Sequence, residues 1–165
     1  MRRYLDLLEH LFLVRQLRPW HEHLRKRQIK RPKVYLRDSG VHHHLIGVGT
    51  TDALQMHPRI GASWERFVIE KVIAEATPDD VYFWATHNGA ELDLLLLTGG
   101  RRVGVEVTRV DAPRRTRSMT VALNDLRLDA LYVVYPGDVP YVIDDRITAL
   151  PAAAPFPGSA GVPAA

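Results

Sequence analysis

Two periodicities alternate along this chain, one of helices and one of strands. Tyr4, Leu7, Leu8, Leu11 and Phe12 recur at helical spacing and predict an amphipathic helix from Met1 to about Val14. Residues 33–37, Lys-Val-Tyr-Leu-Arg, read as a strand closed by the turn residues Asp38-Ser39-Gly40, and with the preceding segment they suggest a β-hairpin with a basic tip. A second helix is expected over residues 63–76. Counted from Glu65, its neighbours at i+3, i+4, i+7 and i+8 are Val68, Ile69, Val72 and Ile73, so Glu65 is expected to point with the buried stripe, while Glu70 and Glu75 have easier routes to water. Residues 81–87, 91–97 and 102–109 then alternate as strands around Asn88-Gly89 and Gly99-Gly100, both hairpin signals. Helical spacing returns over residues 115–127, followed by strands at 130–135 and 141–143. The order of helix, three strands, helix and strand predicts an α/β fold, a mixed sheet with flanking helices.

The diglycine turn fixes a register. If Gly99 and Gly100 occupy a two-residue loop, Thr98 faces Arg101, partners sum to 199, and Asp93 lies opposite Glu106. Leu92, Leu94, Leu96, Val103, Val105 and Val107 would then share an apolar face, with Asp93, Leu95, Leu97, Glu106 and Thr108 on the other. Side chains directly opposite have Cβ atoms about 4.5–5.5 Å apart, where two like charges are destabilising unless a cation or a shared proton neutralises them. Asp93 and Glu106 therefore read as half of a hard-cation site, or as a pair balanced by arginines such as Arg102 or Arg114.

Composition narrows the class. The 165 residues, 46% hydrophobic and 25% charged, suit one globular unit with a real core. Without cysteine there is neither a disulfide framework nor a thiolate metal site, and the apolar runs are too short to span a bilayer, so a cytoplasmic protein with no membrane partner is expected. The net charge of +3 hides an asymmetry: up to Lys33 there are ten Lys/Arg against three Asp/Glu. Arg25, Lys26, Arg27, Lys30, Arg31 and Lys33 form a basic arm ahead of an acidic body, either a solvated surface or a candidate nucleic-acid contact.

Other motifs are weaker. His42, His43 and His44 are adjacent, so they diverge on any regular backbone, and a partly exposed helix start or loop is favoured over a metal site. Gly47-Val48-Gly49-Thr50-Thr51 lacks the spacing and the lysine of a P-loop, so no ATP site is expected here. Residues 149–165, rich in Ala, Pro and Gly, read as a disordered tail.

The element order, with an acid on the first helix, Asp93 in the second strand and Glu106-Val107-Thr108 in the third, resembles the PD-(D/E)XK or restriction-endonuclease-like superfamily. More closely, the chain resembles the nuclease-like domain of unknown function found C-terminal to the ATPase module of bacterial and archaeal AAA-type ATPases. The phrases that carry this are Tyr4-Leu5-Asp6-Leu7-Leu8-Glu9, Pro32-Lys33-Val34-Tyr35-Leu36-Arg37-Asp38-Ser39-Gly40, Gly61-Ala62-Ser63-Trp64-Glu65-Arg66-Phe67-Val68 and Thr86-His87-Asn88-Gly89-Ala90-Glu91-Leu92-Asp93. The resemblance implies a restriction-endonuclease-like αβββαβ core over residues 41–148, preceded by a partial winged-helix-like segment over 1–40. It also implies that Glu65, Asp93 and Glu106 are the acidic positions, ligands for Mg or Mn in an active member. Thr108 stands where such a member usually has the lysine that assists the attacking water. Two functions follow as expectations: a degenerate nuclease that binds nucleic acid or a protein partner, or a Mg-dependent DNA/RNA phosphodiesterase using the three acids.

Overall fold

The computed structural model describes residues 2–21 and 31–157. It has α1 (Arg2–His10), β1 (Val14–Pro19), β2 (Lys33–Leu36), α2 (Ser39–Leu45), α3 (Thr51–Gln55), α4 (Ile60–Ala76), β3 (Asp80–Ala85), β4 (Glu91–Thr98), β5 (Arg101–Val107), α5 (Arg117–Asp125), β6 (Ala130–Tyr135), β7 (Tyr141–Asp144) and β8 (Ile147–Pro151). The expected helix, three strands, helix and strand are α4, β3, β4, β5, α5 and β6. All described strands join one mixed sheet in the order β2-β1-β3-β4-β5-β6-β8-β7.

The sheet separates two apolar layers. On one face, Val68, Ile69 and Val72 of α4 pack on Phe83, Leu94, Leu96, Val103, Val105 and Val134. On the other, Met119, Ala122 and Leu123 of α5 pack on Trp84, Leu92, Leu95, Leu131 and Val133. Leu95, which the strand pattern leaves beside the acids, is thus fully buried under α5. Gly104 is where β5 lets this second layer close in, since a Cβ there would lie 2.7 Å from Leu128 Cδ1.

Three differences from the sequence pattern have physical causes. The hairpin β1–β2 is present and antiparallel, but it does not stand apart as a separate wing, because β1 runs parallel to β3 and adds the hairpin to the main sheet. The segment beginning at Ala149 is built into the fold through residue 157 rather than forming a tail. Its strand β8 lies between β6 and β7 with Ala149 fully buried, and Phe156 meets the Tyr132 ring edge-on at 5.1 Å. Low charge is also what a strand covered on both faces requires. Finally, the first helix stops at His10 instead of running to about Val14, because Phe12 takes a left-handed φ of 59° that a helix cannot continue through, and Val14 already opens β1.

Candidate functional site

The turn that aims the acids is built as its residues dictate. Gly99 and Gly100 take φ of 55° and 77°, a double left-handed turn that glycine enters without strain. The ladder runs from Thr98 opposite Arg101 to Leu94 opposite Val105. Just beyond its last pair come Asp93 and Glu106, close enough for the Asp93 charge to be felt at Glu106. Asp93 Oδ2 also accepts from the Val107 N–H at 2.8 Å.

Asp93 owes its placement to a β-bulge. Pairing between β3 and β4 steps from Tyr82 with Leu95 to Trp84 with Leu92, so Asp93 and Leu94 together oppose Phe83 alone. The extra residue breaks the alternation: Leu92 joins the α5 layer whereas Leu94 and Leu96 lie in the α4 layer. The single apolar face expected for Leu92, Leu94 and Leu96 is therefore split at the acid. Bulges of this kind bend a strand and re-aim a side chain.

Glu65 approaches from α4. The neighbouring Trp64 donates its indole N–H to the Thr108 carbonyl at 3.1 Å, which ties the first turns of α4 to the end of β5. Glu65 lies close enough for its charge to be felt at Asp93. Its hydrogen-bond partner is Lys33, whose Nζ is 3.4 Å from Glu65 Oε1 and 5.2 Å from the centre of the Phe83 ring. Lys33, grouped by sequence with the basic arm, thus stands beside Glu65. Arg31 is exposed, and Arg25, Lys26, Arg27 and Lys30 lie outside the described residues.

Glu70 is a second correction. Its side chain is 15% exposed against 35% for Glu65, because Arg15 of β1 grips it in two-pronged fashion and Arg37 adds a bond at 2.9 Å. The helix stripe identifies the inward side but not the strand guanidiniums that draw Glu70 in.

Electrostatics divide the cluster unequally. Burial, with the Asp93 charge next, pushes the Glu106 carboxyl up to about 9, which favours its protonated form at neutral pH. Asp93 is also raised, first by burial and then by the Glu65 charge, while the Val107 N–H and the Lys33 ammonium pull it back. Glu106 Oε1 is shut off from solvent without a hydrogen-bond partner, the one feature here that suits a cation. The remaining donors do not fit one as they stand. Asp93 Oδ2 is occupied by a backbone N–H, burial favours the neutral form of Glu106, Glu65 is drawn to Lys33, and no group of three His, Asp or Glu among the described residues is arranged to hold a metal ion. The Thr108 hydroxyl accepts from the Val110 N–H at 3.2 Å and supplies no positive charge. Asp93, Glu106 and Thr108 open on a cleft of about 520 Å³ whose lining also includes Arg114, Thr116 and Ser118. Among the described residues, no helix is long and apolar enough to cross a membrane.

Comparison with known proteins divides the chain where this site joins it. A family model described as domain of unknown function DUF4143 matches residues 60–154, more than half of the chain. The chain belongs to the DUF4143 family. A second model, domain of unknown function DUF8612, matches residues 1–52. The uncharacterized protein Rv2008c of Mycobacterium tuberculosis and the uncharacterized protein Mb2031c of Mycobacterium bovis are each 45% identical over 151 residues, 92% of this chain. The chain spans 34% of the length of each. No solved structure matches it.

The acid cluster therefore draws on both matched regions of this DUF4143 chain: Lys33 comes from the first, and Glu65, Asp93 and Glu106 from the second. Sequence reasoning placed Lys33 in the basic arm and did not foresee it beside the acids. The strand 33–37 was legible, but nothing local shows that β1 docks on β3, which is the pairing that carries Lys33 to Phe83 and Glu65.

Proposed function

We propose that this chain is a nuclease-like domain that acts by binding rather than by hydrolysis, with nucleic acid as its ligand. The observation that carries the reading is the state of the acid pair. Asp93 and Glu106 stand side by side past the last β4–β5 pair, yet Asp93 Oδ2 is taken by the Val107 N–H, burial favours the neutral form of Glu106, and threonine occupies position 108. An ion-assisted hydrolytic site needs anionic oxygens free to bind the cation, together with a charge that stabilises the transition state. Nucleic acid as the ligand is supported by the excess of Lys/Arg up to Lys33 and by Arg114 on the wall of the acid cleft. The length of the relatives, of which this chain spans 34%, supports a role as one module of a larger protein, and the resemblance to domains accompanying AAA-type ATPases suggests an ATPase for the remainder.

Two assays test this. Incubated with supercoiled and single-stranded DNA in Mg²⁺ or Mn²⁺, the protein should give little or no cleavage. It should retain DNA in a salt-dependent way, and neutralising Arg25, Lys26, Arg27, Lys30 and Arg31 should flatten the plot of log affinity against log salt by about 0.7–0.9 for each phosphate that the arm no longer neutralises. Robust cleavage that disappears in Asp93→Ala would overturn the reading in favour of an active phosphodiesterase. Unchanged retention in the neutralised variant would exclude the basic arm as the contact.

A further inference from the structure

We propose that Lys33 is a built-in counter-cation that takes the place of a divalent metal in the acid cluster, so that the N-terminal hairpin keeps the site closed to metal. The inference rests on the nuclease-like reading above and adds to it the reason the acids do not gather around an ion. Lys33 Nζ is 3.4 Å from Glu65 Oε1, the same ammonium acts on both Asp93 and Glu106, and the Phe83 ring lies against its other side at 5.2 Å. Lys33 gives Glu65 a counter-charge on the β2 side and places a positive charge where Asp93 and Glu106 both feel it.

Geometry makes this a property of the fold rather than of a mobile side chain. Lys33 is the first residue of β2 and is paired in register with Leu17 of β1, a fully buried residue. Arg15 and Arg37, on the same hairpin and just beyond it, clamp Glu70 of α4 one turn past Glu65. The hairpin is thereby fixed to the helix that carries Glu65, which keeps the backbone of Lys33 within reach of that carboxylate. A fixed unit charge within a few Å of a divalent ion weakens its binding about tenfold even in a water-like dielectric, and more in a half-buried site.

The test is calorimetric titration of Mn²⁺ into the whole chain, a readout that does not depend on catalysis. Wild type should bind weakly. Lys33→Met should bind at least about tenfold more tightly, Lys33→Arg should remain weak, and Lys33→Met combined with Asp93→Asn should lose the gain. Lys33→Gln, which keeps a polar group against Glu65, runs in parallel and should tighten binding in the same direction, so that a folding defect peculiar to methionine does not decide the result. Equal or weaker Mn²⁺ binding in the folded Met or Gln variant would overturn the proposal, as would tightening that survives Asp93→Asn. The outcomes separate from those of the functional reading: cleavage by wild type would refute that reading whatever Lys33 does, whereas absent cleavage with no gain of Mn²⁺ binding would refute only the role of Lys33.

Discussion

Replacing Glu106 with glutamine should make the protein progressively more stable than wild type as pH rises. In the unfolded chain this carboxyl ionises near 4.5, while in the folded chain burial, with the Asp93 charge next, pushes it up to about 9. Below 4.5 both states hold the proton and the contribution of Glu106 to stability is fully present. Between the two values the unfolded chain releases a proton that the folded chain keeps, so stability falls by about 1.4 kcal/mol per pH unit and the contribution is gone once pH passes the folded value. At pH 7 the accumulated loss is about 3 kcal/mol, a large part of the stability of a domain this size. Glutamine has no proton to lose and keeps the size of the side chain, with an amide able to donate a hydrogen bond. Urea unfolding of wild type and Glu106→Gln at about pH 5, 6, 7 and 8 should therefore give a stability difference that widens in favour of the variant by about 1 kcal/mol or more per unit. Parallel curves would show that Glu106 is ionised in the folded protein at neutral pH, and the account of a neutral Glu106 in the site would fall with that result.

Two further substitutions test the frame around the site. Glu70→Ala leaves the largely buried Arg15 without its counter-charge and should lower stability by about 3 kcal/mol in chemical denaturation, whereas breaking the more exposed Lys71–Glu75 pair should cost no more than about 1 kcal/mol. Gly104→Ala forces a Cβ within 2.7 Å of Leu128 Cδ1 and should cost about 1–3 kcal/mol, visible as a lower thermal midpoint.

What was legible in the sequence and what was not divide along the distance over which each feature is decided. The diglycine turn sets the β4–β5 register within ten residues of itself, and the pairs from Thr98–Arg101 to Leu94–Val105 follow the expected sum. Helix α4 likewise shows its apolar stripe locally, in Val68, Ile69 and Val72. The bulge at Asp93 is set by how β3 pairs with β4, so a pattern that alternates cleanly through Leu92, Leu94 and Leu96 is divided between two layers. Lys33 and Arg15 are still less local. They reach Glu65 and Glu70 across 32 and 55 residues, only because β1 settles beside β3.

That difference bears on the chemistry. The three acids are read from segments whose local pattern would serve equally for a metal site or for a neutralised one. The groups that distinguish the two, the neutral Glu106 carboxyl and the Lys33 ammonium, arise from burial and from a distant strand. Neither leaves a mark in the neighbourhood of Asp93 or Glu106 in the sequence. A lysine two residues after Glu106 would have been a local signal, whereas the threonine there supplies no positive charge beyond the end of β5. A positive charge enters instead from β2, where the Lys33 ammonium lies 3.4 Å from a Glu65 carboxylate oxygen. A cation so placed would compete with a metal ion for that carboxylate, which is why its position argues for a neutralised cluster over a metal-loaded one.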